Sequence, residues 1–319
     1  MSKDKSFINK LNGPIAVFGA GGFIGFNLLK KLLERRQDVL GLSHDPKNSW
    51  RIKESPKIQR YIQRCDVLNI LELKTILNKY KPQTIFNLAA YGAYSDQQNI
   101  EYIYSTNFNS TISIIEILKR NGFKAYIHAG SQSEYGLNSS GPFEDNDLIP
   151  NSHYAVAKVA SHYLIKYYGL VEKLPVIHLR FYSVYGPWEE KGRLIKTIIE
   201  KAKNKKLPDF VDPNVTHDFI YIDDVIEAII ISAVKVNKKI FGEVFNVATG
   251  KKTSIKEIAF LAKKIFRLTV QPKFNRMQNR LWDMADWYGN SNKALKVLGW
   301  QAKVSLTEGL IKTYQHKYG

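Results

Sequence analysis

The sequence predicts an α/β fold: a Rossmann-type doubly wound parallel sheet, with a smaller C-terminal α/β substrate lobe. Short apolar strands alternate with amphipathic helices from residue 14 to residue 181, and a glycine-rich turn joins the first strand to the first helix. Elements that alternate in this way form a parallel sheet with helices on both faces.

The strands of the predicted sheet are short apolar runs that end at polar or glycine residues. The first stops at Gly19, and the helix after it carries apolar side chains on one face. Lys81-Pro82 closes the second helix, and Asn121-Gly122 closes the third. The predicted strands are 14–18, 38–42, 60–65, 84–89, 124–129 and 175–181, and the predicted helices are 23–33, 71–80, 106–120 and 151–172.

The alternation becomes less regular after Gly186. Here the pattern predicts helices at 193–203, 225–234 and 254–266, and strands at 219–222 and 243–247. We therefore predict a dinucleotide-binding domain at 1–185 and a smaller lobe at 186–319, with 215–247 partly returning to the sheet.

Composition is that of an ordinary globular protein, with 44% hydrophobic residues and a single cysteine, Cys65. One cysteine excludes an intrachain disulfide and suits a reducing cytoplasm, where a packed thiol at a strand end is the expected role. The N-terminus has no apolar signal core, and no run approaches the ~18 apolar residues of a membrane span. We therefore expect a cytoplasmic protein without a membrane partner.

The net charge of +18 is large, but no run of five or six like charges occurs. We interpret it as a lysine-rich background on solvated helix faces. No zinc spacing, helix-turn-helix signal or RNA-binding sheet motif supports a nucleic-acid partner. An anionic small substrate remains compatible with this charge.

The glycine-rich turn predicts a dinucleotide site. Gly19, Gly22 and Gly25 follow a strand and open a helix. A helix N-terminus offers unpaired N–H groups and the positive end of its dipole to a pyrophosphate. Glycines at these positions permit a tight turn and a close approach of the backbone to phosphate.

The end of the second strand bears on the choice of cofactor. Ser43 stands where an acid that bonds the adenosine ribose is expected. A missing carboxylate removes repulsion against a ribose 2′-phosphate, and His44, Lys47 or Arg51 could supply positive charge. These features favour NADP(H), although Asp45 could still serve NAD.

Other residues at strand and helix ends are candidates for cofactor contacts. Asp66 follows the third strand, where it could bond the adenine amino group or serve a turn. Asn87-Leu-Ala-Ala90 ends the fourth strand with small residues, so the backbone can pass close to the cofactor. Asn107 lies near a predicted helix start, where a cap is the simpler explanation.

Tyr154 and Lys158 stand four residues apart on one face of a predicted helix. A neighbouring ammonium stabilises a phenolate, so the tyrosine can exchange a proton with a substrate. By itself such a pair is usually two ordinary helix residues. Together with the glycine turn it predicts an enzyme that moves a hydride and a proton as a pair.

These residues resemble the extended short-chain dehydrogenase/reductase family, whose members are mostly nucleotide-sugar epimerases, dehydratases and reductases. The resemblance covers most of the chain. Its motifs are Gly19-x-x-Gly22-x-x-Gly25, Asn87-Leu-Ala-Ala90, Ala129-Gly-Ser-Gln-Ser-Glu-Tyr-Gly136, Tyr154-x-x-x-Lys158, Leu179-Arg-Phe-Tyr-Ser-Val-Tyr-Gly-Pro187, Asp218-Phe-Ile-Tyr-Ile-Asp-Asp224 and Asn246-Val-Ala-Thr-Gly250.

The resemblance implies that Tyr154 is the acid/base, that Lys158 holds the nicotinamide ribose and that Ser131 steadies the sugar oxygen. It implies an NAD(P) cofactor, a nucleotide-diphosphate sugar as substrate, and no metal. The implied cofactor contacts are Gly19, Gly22, Phe23, Ile24, Gly25, Ser43, Asp66, Val67, Leu88, Ala89, Ala90, Asn107, Tyr154, Lys158 and Phe181. The implied substrate contacts are Ser133, Ser183, Arg193, His217 and Arg280.

The reaction expected from the resemblance is reversible hydride transfer at C4 of the sugar. Dehydration is disfavoured, because Ser133 replaces the acid that dehydratases carry, and Glu134 is shifted by one residue to the opposite face of an extended chain. The stretches 87–94 and 181–190 look like those of 4-keto-sugar reductases, which we favour. The alternatives are a 4-epimerase that retains NAD and an inactive cofactor-sensing regulator, against which Tyr154 and Lys158 both argue.

Several positions depart from the family pattern near the substrate. Ser183 replaces an asparagine, His217 replaces an arginine, and Arg193 and Lys196 stand for asparagine and proline. These departures leave the nucleotide base open. Arg280 matches a family arginine on the pyrophosphate, where a fork of donors suits the ligand.

The resemblance also implies a homodimer through the helices at 106–120 and 151–172, and a role in polysaccharide biosynthesis. The second half of the predicted small lobe contains three tryptophans. We expect Trp282, Trp287 and Trp300 to be core residues of this lobe rather than platforms for a base.

Overall fold

The structure of the protein is a computed structural model that describes residues 7–277 and 285–318. It forms two compact units. The first comprises Met1–Glu134, Pro150–Arg180 and Ile226–Phe245, and the second comprises Tyr135–Ile149, Phe181–Val225 and Asn246–Gly319. The domain boundary at residue 185 stays a prediction.

The strands include all eight that the sequence predicts, with bounds shifted by a few residues. They are β1 Ile15–Phe18, β2 Val39–Ser43, β3 Ile62–Arg64, β4 Thr84–Asn87, β5 Ala125–Ser131, β6 Val176–Phe181, β7 Ser183–Tyr185, β8 Thr216–His217, β9 Phe219–Tyr221, β10 Val244–Val247 and β11 Thr253–Ser254. Seven of them form one sheet in the order β10-β6-β5-β4-β1-β2-β3.

The order of this sheet confirms the Rossmann-type fold. The pairs β1–β2, β1–β4, β2–β3 and β4–β5 are parallel, and Phe18 of β1 lies between Leu42 of β2 and Asn87 of β4. The chain leaves β1 first towards β2 and later towards β4, so the winding reverses beside β1. Ligands of doubly wound sheets bind at the carboxyl ends of the strands at this reversal.

The helices flank these strands, and four of them begin at residues whose side chains accept from their free N–H groups. The side chain of Asn69 accepts from the Glu72 N–H at 3.1 Å, and Ser254 and Glu257 form a capping box. The helices are α1 Phe23–Leu33, α2 Trp50–Lys53, α3 Pro56–Gln59, α4 Ile70–Tyr80, α5 Ile100–Tyr104, α6 Ser110–Asn121, α7 His153–Leu170, α8 Leu194–Lys203, α9 Ile222–Lys235, α10 Ile255–Ile265 and α11 Leu306–Tyr318.

The core of the first unit packs apolar side chains of the strands against those of the helices. It includes Phe18 of β1, Tyr126 of β5, Ile115 of α6 and Ile165 of α7, all fully buried. Burial of large side chains like these is the main stabilising contribution to such a fold. This core holds the carboxyl ends of the strands in fixed register.

The helix predicted at 106–120 is interrupted at its start. A π-helical turn at Ser105–Asn109 lies between α5 and α6. The amide of Asn107 donates to the carbonyl oxygen of Ile103 at 2.7 Å and to that of Tyr91 at 2.6 Å. A side chain that enters the hydrogen-bond ladder widens it locally, which apolar periodicity does not reveal.

The second unit carries two small sheets, in which β7 pairs with β9 and β8 with β11. Trp287 and Trp300 are buried, as predicted, and Trp282 lies outside the described residues. Asp218 accepts from the N–H groups of Thr249 and Gly250 at 2.9 and 2.8 Å. Two of the motifs found in the sequence are thus joined by one carboxylate.

Two predictions on composition can be compared with the structure. Cys65 is buried, and burial raises the pKa of its thiol to about 12, so it is a packed side chain rather than a nucleophile. Within residues 7–277 and 285–318, no helix has the length and apolar character that a membrane crossing requires.

Candidate active site

The glycine turn after β1 fits a dinucleotide pyrophosphate. Gly19 has φ of 75°, and a Cβ there would lie 2.7 Å from the main-chain carbon of Leu88. A Cβ on Gly25 would collide with the carbonyl oxygen of Gly19. Gly22 is the N-cap of α1 and has no side chain that could occupy the first-turn N–H groups. The turn therefore presents bare backbone donors, with Phe23 and Ile24 in the first helical turn.

The end of β2 lies against this turn, and helix α2 brings a buried arginine, Arg51, to it. A Cβ on Gly21 would lie 2.6 Å from the Ser43 Oγ, which places the two residues in contact. Ser49 Oγ and Arg51 Nη1 donate to the Gly21 carbonyl at 3.2 and 3.3 Å. The Arg51 guanidinium also lies 4.7 Å from the centre of the Trp50 ring. Arg51, one of the three residues considered from the sequence, thus contacts the glycine turn directly.

Asp66 serves a turn at the end of β3. Its Oδ1 accepts from the Leu68 N–H at 3.0 Å, and its Oδ2 lies 3.6 Å from His44 Nδ1. The side chain keeps a quarter of its surface exposed. The turn role considered for Asp66 is therefore present, and contacts of Asp66 and Val67 with adenine stay predictions.

Two buried asparagines organise the loop after β4. Asn87 donates to the Tyr126 hydroxyl at 2.8 Å, and its own oxygen accepts from the Ala89 N–H at 3.4 Å. Asn107 is not a helix cap, because it lies inside the π-helical turn and binds the main chain at Tyr91. Both side chains bind the main chain of the segment from Leu88 to Tyr91 and hold it in place. The cofactor contacts of Leu88, Ala89, Ala90 and Asn107 stay predictions.

The catalytic candidates lie on α7 and at the end of β5. The α7 helix starts at the cap residue Ser152, whose oxygen accepts from the Ala155 N–H at 3.2 Å. Lys158 Nζ is 5.7 Å from the centre of the Tyr154 ring and donates to the Ala129 carbonyl at 2.9 Å. Ser131 follows Ala129 by two residues on β5. One hydrogen bond therefore brings the tyrosine–lysine helix to the strand that carries the serine.

Gly92 packs against Tyr154. It has φ of 97°, and a Cβ there would lie 3.3 Å from Tyr154 Cδ2 and 2.8 Å from the Ile103 side chain. A larger residue would therefore be strained and would push on the Tyr154 ring. This explains why the 87–94 segment, which the sequence analysis compared with reductases, carries a glycine here.

Ser131 and Ser133 form a pair of hydroxyl groups. Their Oγ atoms are 3.0 Å apart, and the Ser131 Oγ accepts from the Ser133 N–H at 3.2 Å. The two residues lie at the end of β5 and in the 3-10 turn Gln132–Glu134 that follows it. Ser133 thus places a neutral hydroxyl group at the position where the family resemblance implies an acid in dehydratases.

A buried charged cluster that the sequence analysis missed lies behind this serine pair. Glu134 is fully buried, and its two oxygens accept from the Ser131 N–H at 2.8 Å and from Arg180 Nε at 2.7 Å. His178 Nε2 lies 2.8 Å from the same carboxylate. The 3-10 turn, rather than an extended chain, directs Glu134 inward. The signal was available, because His178 and Arg180 alternate on a strand that was predicted to be buried and need an acid.

The electrostatics of this cluster keep Glu134 charged and the histidines neutral. Burial opposes the ionisation of Glu134, but His178 and Arg180 outweigh it and hold the pKa of the carboxyl far below its ordinary value. Burial lowers the pKa of His178 and lowers that of His162 to about 3. Glu134, His162 and His178 could ligate a metal, since their donor atoms lie within 4.8 Å of one another. Arg180, however, already supplies the positive charge that Glu134 binds.

Three of the predicted substrate residues, Ser183, Arg193 and His217, lie in the second unit, and Ser133 lies in the first. Ser183 Oγ is 3.4 Å from His217 Nδ1, so these two departures from the family pattern contact each other. Arg193 is the N-cap of α8, and its Nε lies 3.8 Å from Glu189 Oε1. Phe181 is buried at the end of β6. Arg280 lies outside the described residues. The cofactor role of Phe181 and the substrate roles of the other residues stay predictions.

A Rossmann-type sheet, a glycine turn that fits a pyrophosphate and a Tyr-x-x-x-Lys pair define a dinucleotide-dependent enzyme. The model of the NAD dependent epimerase/dehydratase family matches residues 15–248, and the chain belongs to this family. The family resemblance drawn from the motifs is therefore confirmed.

The similarity to individual members extends over nearly the whole chain. The sequence is 29% identical over 314 residues to UDP-glucose 4-epimerase of Mycolicibacterium smegmatis, with 94% of this chain and 96% of that protein covered. It is 28% identical over 318 residues to UDP-glucuronate 4-epimerase of Thermodesulfobacterium geofontis, with 94% and 95% covered. The structure of UDP-glucuronic acid 4-epimerase from Bacillus cereus, in complex with UDP-glucuronic acid and NAD, matches with a TM-score of 0.82 at 27% identity, covering 95% of this chain and 98% of that one.

The burial of Lys158 generates a prediction about stability and pH. Burial lowers the pKa of Lys158 to about 8, and the charge of Glu134 acts against this shift. Between pH 8 and the ordinary lysine value, the unfolded chain binds more protons at this residue than the folded one, so stability must rise with pH. Relative to Lys158→Met, the wild-type free energy of unfolding should rise by up to ~3 kcal/mol across this window in urea titrations. A difference between the two proteins that stays constant with pH would contradict the assigned environment.

Proposed function

We propose that the protein catalyses reversible hydride transfer at C4 of a nucleotide sugar, with Tyr154 as the proton donor and acceptor. The observation that carries the proposal is the hydrogen bond from Lys158 to Ala129, which sets the ammonium beside the Tyr154 ring and two residues from Ser131 on β5. The relatives that act on UDP-glucose and UDP-glucuronate support a uridine diphosphate sugar as the substrate.

Each residue has a defined part in this reaction. A bound nicotinamide supplies the hydride in reduction and accepts it in oxidation. In reduction, Tyr154 gives its proton to the C4 oxygen as that oxygen gains charge, and Ser131 donates a hydrogen bond to the same oxygen. In oxidation the steps run backwards, and Tyr154 takes the hydroxyl proton. Lys158 stabilises the phenolate in both directions.

The role of Tyr154 predicts the effect of removing one oxygen atom. Tyr154→Phe should lower kcat by about 100- to 10,000-fold, because general acid–base transfer is lost. The dissociation constant for the dinucleotide should stay within about threefold of wild type. The control is Tyr168→Phe on the same helix, which removes a partly buried hydrogen bond to Glu116 and should leave kcat unchanged. Substantial turnover by Tyr154→Phe would refute the assignment.

The favoured form of this activity is a 4-keto-sugar reductase that uses NADPH. Ser43 leaves the end of β2 without a carboxylate, and the buried Arg51 approaches the Gly21 carbonyl beside it. A guanidinium at this place suits a ribose 2′-phosphate, and a neutral Ser43 does not repel it. A reductase must exchange its cofactor in every turnover, which this choice of cofactor suits.

The Ser43 position predicts a switch in cofactor preference. Ser43→Asp should weaken NADPH binding at least about tenfold by charge repulsion, while NADH binding changes by less than about threefold. Ser43→Asn, which has the same shape without the charge, serves as the control for crowding against Gly21. Fluorescence titration gives both dissociation constants. If the NADPH to NADH ratio is the same in Ser43→Asp as in Ser43→Asn, the proposed preference is wrong.

The second candidate function is a nucleotide-sugar 4-epimerase with retained NAD. The similarity to epimerases, one of them solved with NAD, favours it. The two candidates differ in what the purified protein carries. Acid-released dinucleotide from freshly purified protein should be near zero for the reductase, and near one NAD per chain for the epimerase.

We also propose that the protein is a homodimer formed through α6 and α7. Four exposed side chains of α7, spaced seven, four and three residues apart, lie on one helical face. An apolar stripe of this kind is suited to packing against a second copy. The residues are Val156, Tyr163, Tyr167 and Leu170. A cytoplasmic location and a role in polysaccharide biosynthesis stay predictions.

The dimer proposal can be tested by sedimentation. Wild type should sediment at twice the chain mass of 36.6 kDa, because the stripe is buried between two copies. Tyr163→Glu/Tyr167→Glu should shift it towards the single-chain mass, because charge opposes burial of the stripe. A wild-type monomer at micromolar concentration would contradict the proposal.

A further inference from the structure

The carboxylate of Glu134 contacts the main chain of the catalytic serine, and the proton and hydride steps do not use it. Its oxygens bind the Ser131 N–H and the Arg180 side chain, with His178 on the same carboxylate. All four groups belong to the first unit, and Glu134, His178 and Arg180 have no exposed surface. Buried charges are retained only where strong partners hold them, so the position of this carboxylate is fixed.

We propose that Glu134 is a positioning residue, which fixes the backbone of Ser131 through the hydrogen bond that its carboxylate accepts from the Ser131 N–H. This inference rests on the proposed redox function, because it takes the roles of Ser131 and Lys158 from there. Glu134 itself touches neither the sugar nor the dinucleotide in this assignment. It acts through the two residues that do.

The anchoring of Ser131 comes from two directions. The Glu134 carboxylate binds its N–H, and the Ser133 N–H donates to its Oγ at 3.2 Å. The first contact fixes the main chain where β5 ends, and the second restrains the side-chain rotamer. A hydroxyl that stabilises a developing oxyanion must be placed within a fraction of an ångström, and a displacement of about 1 Å can cost on the order of 100-fold in rate.

The charge of Glu134 acts on Lys158. Burial lowers the pKa of Lys158 to about 8, and in the described part of the chain Glu134 is the acid whose charge raises it. The other ionisable groups around Lys158 are Tyr154 on its own helix, His128 on β5 and His178 on β6. Burial lowers the pKa of both histidines, so they stay neutral near pH 7. Without Glu134, less of Lys158 would be an ammonium at neutral pH.

The test is the variant Glu134→Gln, compared with wild type and with Tyr168→Phe. Its single acceptor oxygen can serve Ser131 or Arg180 but not both. We expect kcat to fall at least about 30-fold, with KM and dinucleotide affinity within about threefold. The alkaline limb of kcat, set by Lys158, should move to lower pH by about one unit, because the lysine loses a stabilising anion. Tyr168→Phe removes a hydrogen bond to Glu116 but no charged group. It should therefore keep the wild-type pH profile.

A second measurement tests the contact between Glu134 and the Ser131 N–H and needs no substrate. Hydrogen exchange of the Ser131 amide should be at least about tenfold faster in Glu134→Gln and unchanged in Tyr168→Phe. If wild type turns over no nucleotide sugar, the proposed function fails while this measurement still decides on the anchor. Should Glu134→Gln not fold, Glu134→Gln/Arg180→Met removes both buried charges together, and the displaced pH limb is expected there as well.

The inference is overturned by either of two results. The first is wild-type kcat and an unmoved pH limb in folded Glu134→Gln, or in the double variant. The second is a Ser131 amide that exchanges at the wild-type rate. A role in stability alone would lower the melting temperature, speed exchange of the other β5 amides as much as that of Ser131, and leave the pH limb in place.

Discussion

The hydrogen bond from the Lys158 ammonium to the Ala129 carbonyl, 2.9 Å long and buried, is the interaction on which the rest of the site depends. It joins helix α7 to strand β5, and it does so through the ammonium that the proposed mechanism assigns to stabilising the Tyr154 phenolate. The bond therefore sets both the geometry and the charge of the site. Because the lysine is neutral only above about pH 8, the burial that positions it also limits the pH range in which it can work.

The second constraint is the cost of burying charge. Lys158, Glu134 and Arg180 all lie within the first unit without exposed surface, and each is bound to a main-chain group or to another charge. Such groups contribute little net stability, since desolvation offsets their attraction. Their value is specificity of position: a carboxylate that must meet Arg180 and the Ser131 N–H can adopt one arrangement. A buried carboxylate also fixes the main chain in the second unit, where Asp218 accepts from the N–H groups of Thr249 and Gly250.

The sequence predicted most of the fold and part of the site, and the reasons for both are physical. Apolar periodicity and helix breakers such as Asn121-Gly122 are signals from residues that are close together in the sequence. The strands and the glycine turn could therefore be predicted from the sequence. The π-helical turn at Asn107 could not, because it follows from contacts with Tyr91 that lie far away in sequence. The direction of Glu134 was also inaccessible, since it depends on whether the chain after β5 extends or turns. Two basic residues, His178 and Arg180, on a buried strand were the missed indication that an acid must lie nearby.

A crystal structure of the protein soaked with NADPH tests the central claim most directly. The account predicts the pyrophosphate on the backbone N–H groups at 19–25, and the Tyr154 hydroxyl on the side of the nicotinamide ring where it can reach the oxygen of a carbonyl group placed over the reactive carbon. The Lys158 ammonium should then reach the nicotinamide ribose while keeping its bond to Ala129. A dinucleotide bound away from the glycine turn, or a Tyr154 hydroxyl directed away from the nicotinamide ring, would contradict the account.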